Sequence, residues 1–173
     1  MDSIVIYTDG ACRGNGGENS RGSYAFSLLC PEKKIFKFVA EMMPPYSTNN
    51  QAEIKGLYAA LMAIKKRDCK LDVYCDSNYV LNFCKDWRFK WKAKGWNVDK
   101  KNLGQLRMLS NLLDTFEDVK FHHVNGHVGI LGNEIVDRLC NLRLDNVAPA
   151  DDERIRHMIN EYVEGYGLEK IFK

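Results

Sequence analysis

The chain has 173 residues, of which 45% are hydrophobic and 28% are charged, and its formal net charge is +2. This length is typical of a single domain that buries about two-thirds of its unfolded surface, and the composition excludes a disordered, collagen-like or coiled-coil protein. The mean hydropathy is −0.38, and no apolar run reaches the roughly 18 residues of a membrane span. Because a strand-like run begins at Ser3, we expect no leader peptide and a cytoplasmic protein without membrane contact.

Hydrophobic patterns predict five strands, over residues 3–8, 22–30, 34–41, 71–75 and 119–124. The first is apolar on both faces, as expected of a central strand, and is predicted to stop at Asp9 and Gly10. Only a short turn at Pro31 separates the second strand from the third, so these two are predicted to form a hairpin.

Helices are predicted between the later strands. Thr48 and Gln51 fit a capping box at the start of one helix, and leucines at helical spacing predict another over residues 103–113. A short helix follows Ser77, and the last is predicted over residues 133–143. Helical crossovers join parallel strands, whereas the hairpin adds antiparallel ones. The sequence therefore predicts an α/β fold with a mixed five-stranded sheet and helices on its faces.

The end of the chain is predicted to be an extension, residues 146–173, of a main domain over residues 1–145, with a break at Ala148 and Pro149. Apolar residues recur there at helical spacing: Ile155, Met158, Ile159 and Tyr162. We expect this stripe to fold back on the domain, the alternative being contact with a partner.

Six cysteines without an export signal indicate reduced thiols, mostly in the core, rather than a disulfide framework. His123 and His127 have the spacing of zinc ligands, but no Cys-x-x-Cys pair accompanies them, which argues against a zinc site.

Four acidic residues are candidates for one site. Asp9 and Asp76 follow predicted strands, at the edge of a parallel sheet where ligands bind, although Asp-Gly also suits a turn and Asp-Ser a helix start. Glu53 and Asp137 lie beside the apolar faces of their predicted helices. Four converging carboxylates repel one another unless a cation neutralises them, and oxygen ligands suit Mg²⁺ or Mn²⁺. Two such ions about 4 Å apart would clamp the attacking and leaving oxygens of a phosphodiester.

Residues 85–101 form a basic segment, with seven basic and two acidic residues and all three tryptophans of the chain. Lysines interleaved with aromatic rings favour a polyanion such as nucleic acid as the partner. The alternative is a solvated helix whose tryptophans anchor it to the core, and for the tryptophans the pattern leaves both interpretations open.

Four motifs in order, together with the basic segment, resemble the type 1 ribonuclease H family over roughly residues 3–144. The motifs are Tyr7-Thr8-Asp9-Gly10, Thr48-Asn49-Asn50-Gln51-Ala52-Glu53, Asp76-Ser77-Asn78-Tyr79-Val80 and Gly126-His127-Val128-Gly129 with Gly132-Asn133-Glu134 and Asp137. The resemblance implies a ribonuclease H-like sheet, with the first three strands antiparallel and the first, fourth and fifth parallel.

The resemblance also implies a reaction and its residues. Asp9, Glu53, Asp76 and Asp137 would bind two Mg²⁺ ions, with Mn²⁺ as a possible substitute, to cleave the RNA strand of an RNA–DNA hybrid into 5′-phosphate and 3′-hydroxyl ends. His127 would assist proton transfer or product departure, and Glu134 product release, although a carboxylate there also suits the helix dipole. The implied hybrid contacts are Asn15, Thr48, Asn49, Asn50, Asn78, Trp87, Lys90, Trp91, Lys92 and Lys94.

Some of these assignments have plain alternatives. Asn15, Asn49 and Asn50 also suit turns and caps. For the whole chain, the alternatives to an enzyme that acts as a monomer are a hybrid-binding domain without catalysis and a domain excised from a reverse transcriptase polyprotein. Four retained acids argue against a pure binder, since negative charge at a phosphate site weakens binding.

Overall fold

The computed structural model describes residues 1–15, 17–125 and 130–173. Its strands are β1 (Ser3–Arg13), β2 (Arg21–Cys30), β3 (Ile35–Met42), β4 (Lys70–Cys75) and β5 (Asp118–His123). They form one sheet in the order β3-β2-β1-β4-β5. Pairing is antiparallel from β1 to β3 and parallel between β1, β4 and β5, which confirms the predicted mixed sheet. Gly16 and residues 126–129, which include His127, lie outside the described residues.

The helices follow the predicted order. They are α1 (Asn49–Met62), α2 (Asn78–Asn82), a π-helical segment (Phe83–Trp87), α3 (Arg88–Ala93), α4 (Leu103–Leu113), α5 (Leu131–Leu144), a 3₁₀ turn (Pro149–Asp151) and α6 (Glu153–Glu164). The capping box at α1 is confirmed, because Thr48 Oγ1 accepts from the Gln51 N–H at 3.2 Å and Gln51 Oε1 accepts from the Thr48 N–H at 2.9 Å. None of the helices described is both long and apolar enough to cross a membrane.

The sheet separates two hydrophobic cores, so helices cover both of its faces as predicted. On one face α1, the π-helical segment and α4 bury Leu57, Phe83 and Leu109 against β1 and β4. On the other face α5 packs on β1 and β2 and buries Leu139. Helix α6 lies against α5.

The apolar stripe of the extension belongs to the second core. Ile155, Met158, Ile159 and Tyr162 are all buried there. Arg138 of α5 donates two hydrogen bonds of 2.7 Å to Asp152, the N-cap of α6, and so ties the extension to the helix before it. The division of the chain at residue 145 remains a prediction.

Strand β1 is longer than predicted. The Asp9-Gly10 pair was expected to end it, but β1 continues to Arg13 because β2 pairs with it throughout, from Val5 opposite Leu29 to Arg13 opposite Arg21. Parallel pairing with β4, however, ends at Tyr7. Asp9 therefore lies within a strand and two residues beyond the parallel ladder, rather than in the turn that the sequence suggested.

Candidate active site

Small residues bring α1 unusually close to β1. A Cβ atom at Gly10 would lie 2.5 Å from the backbone nitrogen of Glu53, and one at Gly56 would lie 3.0 Å from the carbonyl oxygen of Asp9. Ala52, fully buried, completes this contact. The packing fixes Glu53, in the first turns of α1, beside Asp9 in β1.

Three carboxylates meet where α1 crosses the end of the parallel ladder. One oxygen from each of Asp9, Glu53 and Asp76 lies within 4.8 Å of the others. Asp9 and Glu53 are each only 5% exposed, whereas Asp76, directly after β4, is partly exposed. Asp9 Oδ1 accepts a hydrogen bond of 2.9 Å from the Gly10 N–H. This is the convergence that the sequence predicted for these three residues.

Burial makes the cluster hard to ionise without a cation. It raises the pKa of Asp9 to about 8, and the charges of Asp76 and Asp137 add to the rise. The pKa of Glu53 is also raised, by burial and then by the charge of Asp9. Burial raises the pKa of Asp76 as well, with Asp137 adding to it and the nearby His123 opposing it. A divalent cation would remove this penalty and release protons.

Asp137 faces the same site from α5 but stands outside the three-carboxylate cluster. It is exposed, and it shares with Asp76 a cavity of about 500 Å³. Helix α5 can start close to the sheet because position 132 is glycine: a Cβ atom there would collide with the ring of Tyr7. All four predicted acids therefore lie at one end of the sheet, three tightly grouped and the fourth across the cavity.

The cavity is also lined by residues that the sequence did not predict to belong to the site. Its polar lining consists of Asp76, His123, Asn125, Asn133, Glu134 and Asp137. Glu134 was predicted here. His123 was considered only as a zinc ligand, and Asn133 only as part of a motif. Their signal was present in the sequence, since His123 closes the strand that neighbours Asp76 and Asn133 opens the helix that carries Asp137. The other predicted histidine, His127, lies outside the described residues.

The asparagines predicted to contact substrate divide into two kinds. Asn15 Oδ1 accepts a hydrogen bond of 2.8 Å from the Asn49 N–H and so ties the loop after β1 to the start of α1. This supports the turn-and-cap interpretation for Asn15. Asn50 and Asn78 are exposed in the first turns of α1 and α2, two helices that begin near the site.

The start of α1 is also linked to α4. Asn102, which precedes α4 with a left-handed backbone (φ +62°), accepts a hydrogen bond of 3.3 Å from the Gln51 side chain and donates one of 3.3 Å to the Tyr79 hydroxyl. Asn102 was not among the residues predicted from the sequence. Because Thr48 is the N-cap of α1, the Gln51–Asn102 bridge fixes the region around Thr48.

The tryptophans of the basic segment serve mainly as packing. Trp96 is buried in the first core, which supports the anchoring interpretation for that residue. Trp87 and Trp91 are half-buried and stack on each other, with ring centroids 5.8 Å apart and planes 19° apart. They retain an exposed part that a nucleic acid can reach.

The predicted lysine contacts are not equivalent. Lys90 forms an ion pair of 3.1 Å with Asp86, and Lys92 one of 2.6 Å with Asp114. Lys94 is exposed, and within the part of the chain that the structure describes no carboxylate pairs with it. Exposed ion pairs are weak and can exchange partners, but Lys94 needs no such exchange to meet a phosphate.

The sheet order and the buried carboxylates together define an α/β domain with a site suited to divalent cations. A family model described as RNase H matches residues 1–144. The chain therefore belongs to the ribonuclease H family of nucleases.

Curated relatives agree with this family. A protein named Ribonuclease H from Ruthia magnifica is 36% identical over 151 residues, which cover 86% of this chain and 99% of the relative. Another of that name, from Ralstonia nicotianae, is 39% identical over 145 residues, covering 82% and 91% of the two chains.

Solved structures share the fold. RNase H1 from the archaeon Halobacterium salinarum matches with a TM-score of 0.62 at 27% identity, covering 84% of this chain and 99% of that one. LC9-RNase H1, described as a type 1 enzyme with the type 2 active-site motif, gives a TM-score of 0.71 at 20% identity over 86% and 74% of the two chains. LC11-RNase H1, solved in complex with an RNA/DNA hybrid, gives 0.62 at 22% identity over 83% and 97%.

Proposed function

We propose that this protein hydrolyses the RNA strand of RNA–DNA hybrids with the help of two Mg²⁺ ions. The observation that carries the proposal is the cluster of Asp9, Glu53 and Asp76, whose oxygens lie within 4.8 Å of one another. Among the ion pairs of the described residues, none brings Lys or Arg to these three carboxylates. A buried group of acids without a cationic partner is unfavourable, and a bound cation accounts for it.

The donor set fits magnesium. All the clustered ligands are carboxylate oxygens, which Mg²⁺ and Mn²⁺ prefer, and the adjoining cavity leaves room for the water molecules that Mg²⁺ retains. Asp9, Glu53 and Asp76 would hold one ion, and Asp137 with Asp9 would hold the other. Bound Mg²⁺ supplies Lewis-acid activation of the attacking water and of the scissile phosphate.

The chain's own residues then orient the reaction. The buried Asp9 is held by the Gly10 N–H and by the close packing of α1, so its carboxylate would hold the cations without rearranging. Exposed Asp137 can adjust to the substrate. We assign His127 to proton transfer or product departure, and Glu134, which lines the cavity, to product departure. Breaking the bond between phosphorus and the 3′ oxygen leaves 5′-phosphate and 3′-hydroxyl ends.

Hybrid recognition would use the helix starts around the acidic cluster. Exposed Asn50 and Asn78 flank it, and short amides can both donate to and accept from the 2′-hydroxyls in the wide minor groove of an A-form-like hybrid. Thr48 would contact a DNA-strand phosphate. The basic segment, with Lys94 and the exposed parts of Trp87 and Trp91, would hold the backbone a few nucleotides away.

The proposal also covers the cellular location and the oligomeric state of the protein. All six cysteines are free, and five of them are buried, which suits a reducing compartment. We therefore expect the protein to act in the cytoplasm. We also propose that it acts as a monomer.

Cleavage of a hybrid with labelled RNA tests the proposal. Wild-type protein with Mg²⁺ should release 5′-phosphorylated fragments, and Asp9→Asn and Asp137→Asn should lose at least about a hundredfold in rate, since each removes a charge that holds a cation. Asp68→Asn changes an exposed acid at the opposite end of β4 and should cleave normally. Unchanged cleavage in both site variants would refute the metal-ligand roles. Salt-dependent hybrid binding without turnover at any Mg²⁺ or Mn²⁺ concentration would instead indicate a binding domain.

A further inference from the structure

His123 lines the cavity of the acidic site, but the function proposed above gives it no role. It is the last residue of β5 and lies in parallel register with Cys75, so its neighbour across the ladder directly precedes Asp76. Its side chain is exposed and lines the cavity that Asp76 shares with Asp137. An imidazole is thus available where two carboxylates face each other.

The adjacent residue of β5, His122, has an imidazole ring with defined polar and stacking partners. His122 Nε2 lies 2.7 Å from Asp72 Oδ1, and its ring stacks on Tyr74 with centroids 4.5 Å apart. His123 has no such arrangement: across residues 1–15, 17–125 and 130–173, no ion pair or hydrogen bond engages its ring. His123 lowers the pKa of Asp76, whereas burial, which has the larger effect, raises that pKa.

A second observation points to a ligand in the same cavity. Asn133, which lines it, is only 4% exposed, and its side-chain oxygen has no hydrogen-bond partner among the described residues. A buried oxygen without a donor is costly, and such atoms are rare in folded proteins. A cation in the cavity would satisfy this oxygen, whereas an anion would not.

We propose that His123 binds, through an imidazole nitrogen, the divalent cation on the Asp137 side of the site, with the Asn133 oxygen as a further donor. The inference rests on the two-cation function proposed above and specifies one of its positions. The two positions then differ in chemistry: the Asp9, Glu53 and Asp76 position offers oxygen alone, and the Asp137 position offers oxygen and nitrogen.

The mixed donor set has a consequence for metal choice. Mg²⁺ favours oxygen ligands and retains several waters, whereas imidazole nitrogen suits first-row transition ions. The Asp137 position should therefore take Mn²⁺ in preference to Mg²⁺, while the buried cluster accepts either ion.

Pulsed electron paramagnetic resonance of the Mn²⁺-loaded full-length protein tests the nitrogen ligand directly. Samples would be measured with and without a hybrid whose RNA strand carries 2′-O-methyl groups. The bound hybrid allows a cation position that needs substrate for its occupancy to be observed as well. The variants are His123→Ala and His123→Gln. Matched controls are His157→Ala, an exposed histidine on α6, and His127→Ala, which tests the histidine of the fourth sequence motif. Circular dichroism would verify folding.

The expected result is ¹⁴N coupling to Mn²⁺ in wild type, His157→Ala and His127→Ala, and its loss in both His123 variants. In His123→Ala, the affinity of the Asp137 position for Mn²⁺ should fall at least about tenfold, which is the usual loss when a residue that supports a metal site is removed. The affinity for Mg²⁺ should change less. Nitrogen coupling that is absent from wild type, or that persists in both His123 variants, would overturn the inference. Neither result touches the proposed function, which fails only if Asp9→Asn and Asp137→Asn still cleave the hybrid.

Discussion

Replacing Asp9 by Asn should make the cation-free protein more stable while it abolishes cleavage. Burial and neighbouring carboxylates raise the pKa of Asp9 from 3.8 to about 8 in the folded protein. Between these two pH values the folded state binds more protons than the unfolded chain, so stability falls as pH rises. The Asn side chain fills the same space, and its oxygen can still accept from the Gly10 N–H.

The size of the effect follows from the same pKa. At pH 7 an isolated group with this change would cost about 4 kcal/mol of stability, at 1.36 kcal/mol for each tenfold change in proton affinity. Glu53 and Asp76 share the repulsion, so removing one charge leaves part of it in place. We therefore expect Asp9→Asn to gain about 2 kcal/mol, which raises Tm by about 4–8 °C in a domain of this size.

Thermal and urea unfolding with a chelator present would measure this gain at several pH values. The free energy of unfolding of Asp9→Asn should exceed that of wild type by little near about pH 4 and by more toward about pH 8. Added Mg²⁺ should reduce this difference, because it stabilises wild type but not the variant. Asp68→Asn, an exposed acid, should follow wild type throughout. A variant that is less stable than wild type, or a difference that does not depend on pH, would refute the electrostatic reasoning.

Two further changes test the packing and the docking surface. Gly10→Ala should sharply reduce both cleavage and Mg²⁺-dependent stabilisation, because its Cβ would lie 2.5 Å from the Glu53 nitrogen and force α1 away from β1. Full activity of this variant would show that the contact does not position Glu53. Lys94→Gln should raise KM and flatten the salt dependence without lowering kcat at saturating hybrid, and more so than Lys90→Gln, whose lysine is already paired with Asp86. Lys37→Gln on the edge strand β3 is the control, and an equal fall in kcat would contradict a docking role.

Periodicity and capping residues were sufficient to predict the strands, the main helices and the two-sided sheet. The sequence misplaced the end of β1 because Asp-Gly is an ordinary turn signal. In the folded protein Gly10 serves a tertiary purpose instead, the close approach of α1, and no local pattern reveals such an approach.

The acids of the site could be predicted, but their neighbourhood could not. In the sequence, Asp9 and Asp76 follow predicted strands, and Glu53 and Asp137 border the apolar faces of predicted helices. The position of His123 opposite Cys75, and so close to Asp76, depends on the register between β4 and β5. The ion pairs of Lys90 and Lys92 depend on side-chain geometry. Register and geometry of this kind are set by packing across the sheet rather than by local sequence.

A crystal structure of the wild-type protein soaked with Mn²⁺ would show whether the clustered carboxylates bind a cation, because anomalous scattering locates the ion without reference to activity. We expect one Mn²⁺ among the carboxylate oxygens of Asp9, Glu53 and Asp76, with these side chains at the positions that they already hold. A fully loaded crystal with no ion among these three carboxylates, or with Glu53 turned away from Asp9, would contradict it.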